Sequence, residues 1–289
     1  MRPFKLIEPK SLTEACALLA HDAEAKSVAG GTALLTIIKQ GLLLPKSLVN
    51  LKKINDGSAI SFDPVQGLRI GALATINEIE SSETVKRHYP ALAEACHMVA
   101  NIRIRNMATI GGNLAHGDYQ SDPPTVLAAL DARVELMGAN QTRQLALADF
   151  QIGSYETALQ PGELLSAVLV PPLPSGMKGH YIKFTTGSSE ERPCAGVAAL
   201  ARIDGGLCKE LRLAVGAVSA KPVRIAAEAL ANGKALTPDL IATIAGEAAR
   251  SIDPIDDVRG PADYKRHLVG VLTRRALNNL ANGKTETNS

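Results

Sequence analysis

Tryptophan is absent from this 289-residue chain, and all aromatic residues together make up only 3% of it. The cores must therefore be aliphatic, and a ring-shaped ligand will meet few aromatic partners. Cysteine is scarce: Cys16, Cys96, Cys194 and Cys208 are the only four, with no C-x-x-C pair among them. No thiolate cluster for zinc or iron–sulfur can be assembled from such spacings. Each cysteine lies in an apolar or helical stretch, as a buried free thiol of a reducing compartment does. No run reaches the roughly 18 apolar residues that span a bilayer, and Met1-Arg2-Pro3-Phe4-Lys5 lacks the apolar core of a signal peptide. The expectation is a cytoplasmic protein with no integral membrane segment. An excess of one charge is also missing. The net charge is +2, and Lys and Arg are nowhere concentrated, so nucleic-acid binding is not expected. Hydrophobic residues at 46% and charged residues at 21% describe an ordinary folded chain, long enough for two modest domains.

The pattern along the chain predicts short strands over 4–7, 26–29 and 48–51. A helix follows the first strand, started by the capping box Ser11-Leu12-Thr13-Glu14. A second helix over 33–39 follows Gly30-Gly31-Thr32 and is closed by Gly41. A strand over 68–71 leads to another capping box, Thr75-Ile76-Asn77-Glu78, and Pro90 opens a helix to about 100. Residues 101–124 are rich in Gly, Asn and Asp with little periodicity, and read as an extended, ligand-facing loop. Asp122-Pro123 then reads as an N-cap followed by Pro in the first turn. Strands are expected over 133–137 and 164–170. Pro171-Pro172-Leu173-Pro174-Ser175-Gly176 can continue neither strand nor helix and marks a boundary. Beyond it come strands over 181–184, 194–203 and 207–218, the last two joined at Asp204-Gly205-Gly206, then helices over 223–230, 238–249 and 262–281. The pentapeptide Leu-Ala-Asn-Gly-Lys at 230–234 and 280–284 reads as shared helix-end chemistry, with Gly left-handed, not as a repeat.

Two glycine-rich segments carry the chemistry. Ala29-Gly30-Gly31-Thr32-Ala33-Leu34 stands between strand and helix, where bare backbone and unpaired N–H groups suit a phosphate. Thr109-Ile110-Gly111-Gly112-Asn113-Leu114 repeats the pairing of adjacent glycines with a hydroxyl and an amide. Neither is the G-x-G-x-x-G of a Rossmann domain or a P-loop. Each alone reads as a tight turn; both together point to a shared pyrophosphate site.

These two segments in this order, continued by Ala115-His116 and Ser121-Asp122-Pro123-Pro124, closely resemble the FAD-binding medium subunit of the molybdenum hydroxylases. That family includes the carbon monoxide dehydrogenase medium subunit and the flavin domain of xanthine dehydrogenase. Pro161-Gly162-Glu163-Leu164-Leu165, Tyr181-Ile182-Lys183-Phe184, Asp257-Val258-Arg259-Gly260 and Tyr264-Lys265-Arg266-His267-Leu268 extend the resemblance over nearly the whole chain. The resemblance implies an α+β fold. A two-part FAD-binding domain of the vanillyl-alcohol-oxidase/PCMH type would occupy 1–174, divided at about 1–55 and 56–174. An antiparallel sheet with helices would follow over 177–284. It also implies cofactor contacts: Ala29, Gly30, Gly31, Thr32, Ala33 and Leu34 around the FAD pyrophosphate from one side, with Thr109, Gly111, Gly112 and Asn113 on the other. Ala100, Ala115 and His116 would line the cofactor, Asp122 would meet its sugar or ribityl region, Leu164 and Lys183 would lie near the isoalloxazine or adenine ends, and Tyr181 would flank a ring. Ala33 departs from the Asp that the family often carries, which removes one side-chain contact.

Plain readings stand beside these. His116 fits a merely exposed residue, Asp122 a simple N-cap and Lys183 a solvated strand residue. Arg103 and Arg105 read as a solvated strand face in preference to a phosphate or partner contact, and Ser189-Glu190-Glu191-Arg192 as a surface turn. No nucleophile–base–acid set and no metal cluster is legible, which suits a flavoprotein because the cofactor carries the redox chemistry. The resemblance further implies an electron relay. Substrate would be hydroxylated at molybdopterin in a large partner subunit, electrons would cross [2Fe-2S] clusters in a small iron–sulfur subunit, and FAD here would pass them to an external acceptor. A dimer of heterotrimers is implied. The rival expectations are a stand-alone FAD-dependent oxidase and a cofactor-free scaffold.

Overall fold

A computed structural model describes residues 3–283. Met1, Arg2 and Lys284, used in the leader and helix-end arguments, lie outside the described residues. The first part of the chain forms β1 (Lys5–Ile7), α1 (Leu12–His21), β2 (Ala25–Val28), α2 (Leu34–Lys39) and β3 (Ser47–Asn50). The three strands pair in parallel in the order β1-β3-β2, and α1 and α2 supply the crossovers that parallel pairing requires. The Ser11 hydroxyl accepts from the Glu14 amide at 3.1 Å, but the Glu14 carboxylate turns to the Lys10 amide at 2.7 Å. The expected capping box is thus only half formed. Gly41 (φ +75°) ends α2, with its own amide on the Ile38 carbonyl and the Leu42 amide on that of Ile37, which is a Schellman closure.

The second part contributes β4 (Ile60–Asp63), β5 (Gly67–Gly71), α3 (Ile76–Ser81), α4 (Glu83–His88), α5 (Pro90–His97), α6 (Ile102–Arg105), α7 (Ile110–His116), α8 (Asp122–Ala129), β6 (Arg133–Met137), β7 (Thr142–Ala146), α9 (Leu147–Phe150), β8 (Gln151–Gly153), β9 (Glu156–Thr157) and β10 (Leu164–Val170). Five of these strands make an antiparallel sheet in the order β4-β5-β10-β6-β7. Its central strand β10, Leu-Leu-Ser-Ala-Val-Leu-Val, is buried along nearly its whole length, as a continuous apolar run should be. The capping box at Thr75 is complete.

The 101–124 stretch is not an extended loop. It holds α6, α7 and the start of α8, which are four, seven and eight residues long. Such helices are too short to display an apolar period, and their starts are fixed by polar caps: the Asn101 side chain accepts from the Ile104 amide and Thr109 from that of Gly112. Arg103 and Arg105 consequently lie on a helix, not a strand, and Arg105 is buried. The cap of α8 is Ser121; Asp122, expected there, is the first helical residue and is itself buried.

The remainder forms β11 (Met177–Phe184), β12 (Ala195–Asp204), β13 (Leu207–Gly216), β14 (Val223–Arg224), α10 (Pro238–Arg250) and α11 (Ala262–Ala281). The strands make an antiparallel sheet in the order β11-β12-β13-β14. Gly205 and Gly206, both left-handed (φ +57° and +78°), close the tight turn between β12 and β13. The helix expected over 223–230 is replaced by β14 and a 3-10 turn over Ala226–Ala231. Arg224 holds that strand in place through Glu228 and Asp131. Gly233 and Gly283 are both left-handed at the ends of their helical segments.

The alanine-rich β12 is buried on both faces. Ala198 and Leu200 join the large core that includes α5 and α8, whereas Val197, Ala199 and Ala201 join a second core under α10 and α11. Small alternating residues let helices approach both sides of one strand. A third, smaller core lies beneath the parallel sheet.

Candidate functional site

A cleft of about 580 Å³ opens where the 29–34 segment, α7, β10 and the connection between β11 and β12 converge. Every residue proposed from sequence as a cofactor contact lies on its lining except Lys183. Tyr181 is also off the lining and fully buried. The structure therefore brings together Ala29 through Leu34, Ala100, Thr109, Gly111, Gly112, Asn113, Ala115, His116, Asp122 and Leu164, which the sequence separates by up to 135 positions (Ala29 to Leu164).

The two double-glycine segments do different things. In the first, none of the amides of residues 30–34 donates a hydrogen bond among the described residues, and all five residues line the cleft. Gly30 is bare for a steric reason. A Cβ there would fall 1.9 Å from the Met107 carbonyl oxygen, so the segment packs directly on the backbone that enters α7. Gly31 holds φ +71°, which side chains other than glycine's rarely adopt.

In the second, the amides are already used. Ile110 donates to the Ala74 carbonyl and Gly111 to that of Ala72, Gly112 donates to the Thr109 hydroxyl, and Asn113 to the Thr109 carbonyl. The expected grip by two rows of amides reduces to one row. A Cβ on Gly111 would meet Ala72 at 2.6 Å, so this glycine lets α7 press on the loop after β5. One on Gly112 would have only the Thr109 hydroxyl for a near neighbour, so its bare side keeps the cleft open. The Asn113 side chain is held by the Ser121 hydroxyl through contacts of 2.7 and 3.0 Å.

Asp122 lies at the base of this arrangement. Tyr181 Oη donates to its Oδ1 at 2.9 Å and Lys183 Nζ to its Oδ2 at 3.2 Å, so both carboxylate oxygens are engaged by protein. Burial pushes the Asp122 carboxyl up to about 6, against the opposing pull of Lys183 and Tyr181. The Tyr181 hydroxyl is raised well above its ordinary value by burial and by the neighbouring Asp122. Lys183 is not a solvated strand residue; it sits behind Asp122 and also donates to the Met98 carbonyl at 2.7 Å. His116, at the end of α7, is half-buried with its ring 5.1 Å from that of Tyr155, edge to face. Burial lowers its pKa, so the imidazole is neutral at physiological pH.

Sequence reasoning missed the rim. Asp118, Gln120, Glu163 and the Glu190-Glu191-Arg192 run line the cleft, although the last reads as a plain surface turn. That turn is exposed, yet Arg192 Nε meets Asp118 Oδ2 at 2.7 Å and Glu190 accepts from the Asn101 side chain at 3.2 Å. Asp257 lies behind this rim, and Arg259, two residues on, reaches both the Arg192 carbonyl and the Gln120 side chain. Asp257 accepts from Tyr119 Oη at 2.9 Å, Gln120 Nε2 at 2.8 Å, the Arg259 amide at 2.8 Å and the buried Lys265 Nζ at 2.6 Å. Burial alone would raise the Asp257 carboxyl, but these donors outweigh it and hold it below the usual carboxylate range. No local periodicity marks such residues; the one available signal was the Asp257–Gly260 stretch itself.

Among the described residues, no group of three His, Cys, Asp or Glu side chains is placed to hold a metal, and no helix is long and apolar enough to cross a membrane. All four cysteines are free and buried.

Comparison with known proteins agrees in both halves of the chain. Residues 2–173 match the family model described as the FAD binding domain in molybdopterin dehydrogenase, and residues 183–280 the CO dehydrogenase flavoprotein C-terminal domain. The chain is 32% identical to the glyceraldehyde dehydrogenase medium chain of Sulfolobus acidocaldarius, over 96% of this chain and 98% of that one. It is 34% identical to the carbon monoxide dehydrogenase medium chain of Afipia carboxidovorans, over 95% of each. Among solved structures, a chain of the carbon monoxide dehydrogenase of Hydrogenophaga pseudoflava superposes with a TM-score of 0.91 at 35% identity, covering 96% of this chain and 98% of that one.

Proposed function

The chain belongs to the FAD-binding medium subunits of the molybdenum hydroxylases, and from that premise we propose that its cleft holds FAD with the pyrophosphate on the free amides of residues 30–34. The residues present suit that group. Unpaired N–H donors would serve diphosphate oxygens, the bare Gly112 would leave room beside them, and the walls are apolar enough to take a flavin ring with little aromatic help. FAD supplies the electron-accepting and electron-releasing chemistry when bound. The protein's part is to fix and shield it. Thr109 and Asn113 set the start of α7 through their own internal bonds, and Asp122, His116 and Leu164 line the adjoining surface. Lys183 acts in this reading through Asp122 and the Met98 carbonyl, not by direct contact.

The single observation that carries the assignment is the run of unpaired amides on a cleft that the bare Gly112 also lines. The chain would relay electrons from iron–sulfur clusters of a small subunit, fed by a large molybdopterin subunit, to an external acceptor, within a dimer of heterotrimers. Relatives named for glyceraldehyde and for carbon monoxide match this chain almost equally, which is expected if substrate chemistry belongs to another subunit. Four free, buried thiols support a cytoplasmic setting. The division of the chain at 1–55, 56–174 and 177–284 is part of the same reading; the core under α10 and α11, drawn wholly from residues after 181, supports the last boundary, while the large core also takes Tyr181, Ala198, Leu200 and Ala214.

The test is reconstitution. Purified chain stripped of flavin should take up one FAD, show an oxidised-flavin visible spectrum released intact by acid, and be reduced by dithionite without turning over any substrate alone. Gly30→Ala, which drives a methyl group into the Met107 carbonyl, should abolish uptake. Undiminished FAD occupancy in that variant would overturn the placement of the pyrophosphate.

A further inference from the structure

The end of α5 runs into a bend, residues 98–101, whose middle lies on the cleft: Val99 and Ala100 line it, as does Ile104 a turn further on. Ala100 holds φ +41°, in the left-handed region that glycine occupies readily and alanine does not. Three successive carbonyls of this bend each accept from a buried cation. Lys183 Nζ binds that of Met98 at 2.7 Å, and one Arg105 guanidinium nitrogen binds those of Val99 and Ala100 at 3.2 and 3.1 Å. Neither cation lines the cleft. Each is anchored from behind by a carboxylate: Lys183 by Asp122 at 3.2 Å, Arg105 by Glu80 at 2.7 Å. The other Glu80 oxygen meets His97 Nδ1 at 2.7 Å.

We infer that Arg105 is a positioning residue for the bound cofactor, acting through the Val99 and Ala100 carbonyls that it holds. With those oxygens drawn down onto the guanidinium, the bend presents side chains to the cleft and keeps its carbonyl dipoles out of it. Released, Ala100 relaxes out of the left-handed region, and a rotated peptide turns an oxygen toward an anionic ligand. A wall fixed before binding spares the ligand the work of ordering it. Lys183 does the same for the Met98 carbonyl. This inference rests on the FAD reading of the cleft.

The experiment measures FAD affinity and the visible circular dichroism of bound flavin for the full chain carrying Arg105→Ala, Arg105→Lys, and Arg105→Ala combined with Ala100→Gly, with apo-protein unfolding followed in parallel. Arg105→Ala should weaken binding about tenfold and alter the dichroism. Arg105→Lys, which keeps the charge but not the fork, should recover part of both. Ala100→Gly should also recover part of the affinity in the Arg105→Ala background, because glycine holds the left-handed bend unaided. Wild-type affinity and dichroism in Arg105→Ala would overturn the inference, and so would a loss that neither lysine nor the added glycine repairs. A wild-type chain that bound no FAD would overturn the reading of the cleft together with this inference, an outcome distinct from the other two.

Discussion

Asp122 shows how a single residue can be legible in type and misread in role. Its position before two prolines suggests a helix cap, whereas it is the first helical residue, buried, with both oxygens taken by Tyr181 and Lys183. Local sequence could not reveal this, because both partners come from β11, about sixty residues away. Its carboxyl holds a proton up to about pH 6 in the folded chain, against 3.8 for the ordinary group. Between those values the folded state binds more protons than the unfolded one. Stability from this group is therefore full below about 3.8 and is lost as pH rises through about 6. The expected outcome is that the unfolding free energy of apo wild type, relative to Asp122→Asn, falls by up to about 3 kcal/mol between pH ~4 and pH ~7. Urea unfolding at a series of pH values measures it. A difference that stays flat with pH would show that Asp122 is not the titrating group.

At the scale of elements, the long strands and helices were readable from their periods, whereas the strands β4, β7, β8, β9 and β14 and the helices α4, α6, α7 and α9 were not. β10, β12 and β13 carry sustained apolar or alternating runs, and α10 and α11 are 13 and 20 residues long, enough for the 3.6-residue period to show. The seven residues of α7 are held by a cap and by the bonds of Ile110 and Gly111 to Ala74 and Ala72, so its existence depends on a distant loop. The Thr109 hydroxyl is the local part of that support. Thr109→Val, which keeps the shape and removes the acceptor, should cost about 1 kcal/mol of apo-protein stability and loosen FAD, whereas Thr109→Ser should behave like wild type. Denaturant titration of the three proteins decides it; equal midpoints for valine and threonine would mean that the cap contributes nothing.

Over the whole molecule, the C-terminal part is more than an appended module, because it holds the cleft rim. Asp257 collects Gln120 from the rim, its neighbour Tyr119, the Arg259 amide, and Lys265 from α11, whose fully buried ammonium also donates to the Ile255 carbonyl. Removing one partner of such a pair leaves a buried charge uncompensated. Asp257→Ala should therefore cost about 3–5 kcal/mol in unfolding free energy and weaken FAD by freeing Tyr119 and Gln120. A variant within about 0.5 kcal/mol of wild type, the range of ordinary surface substitutions, would mean that the rim stands without this anchor.

The sequence by itself determined the aliphatic cores, the α+β class, the double-glycine segments and, through their order, the family. These are properties of residue type and spacing, which composition and short-range sterics express directly. Only the tertiary structure decided which glycine amides stay free and which are spent within the protein. It alone placed Lys183 behind Asp122, put Arg105 beneath the cleft wall and carried Asp257 behind the rim. The physical reason is that a polar group's availability depends on the partner it meets, and here those partners lie from a few residues to nearly 140 residues away along the chain.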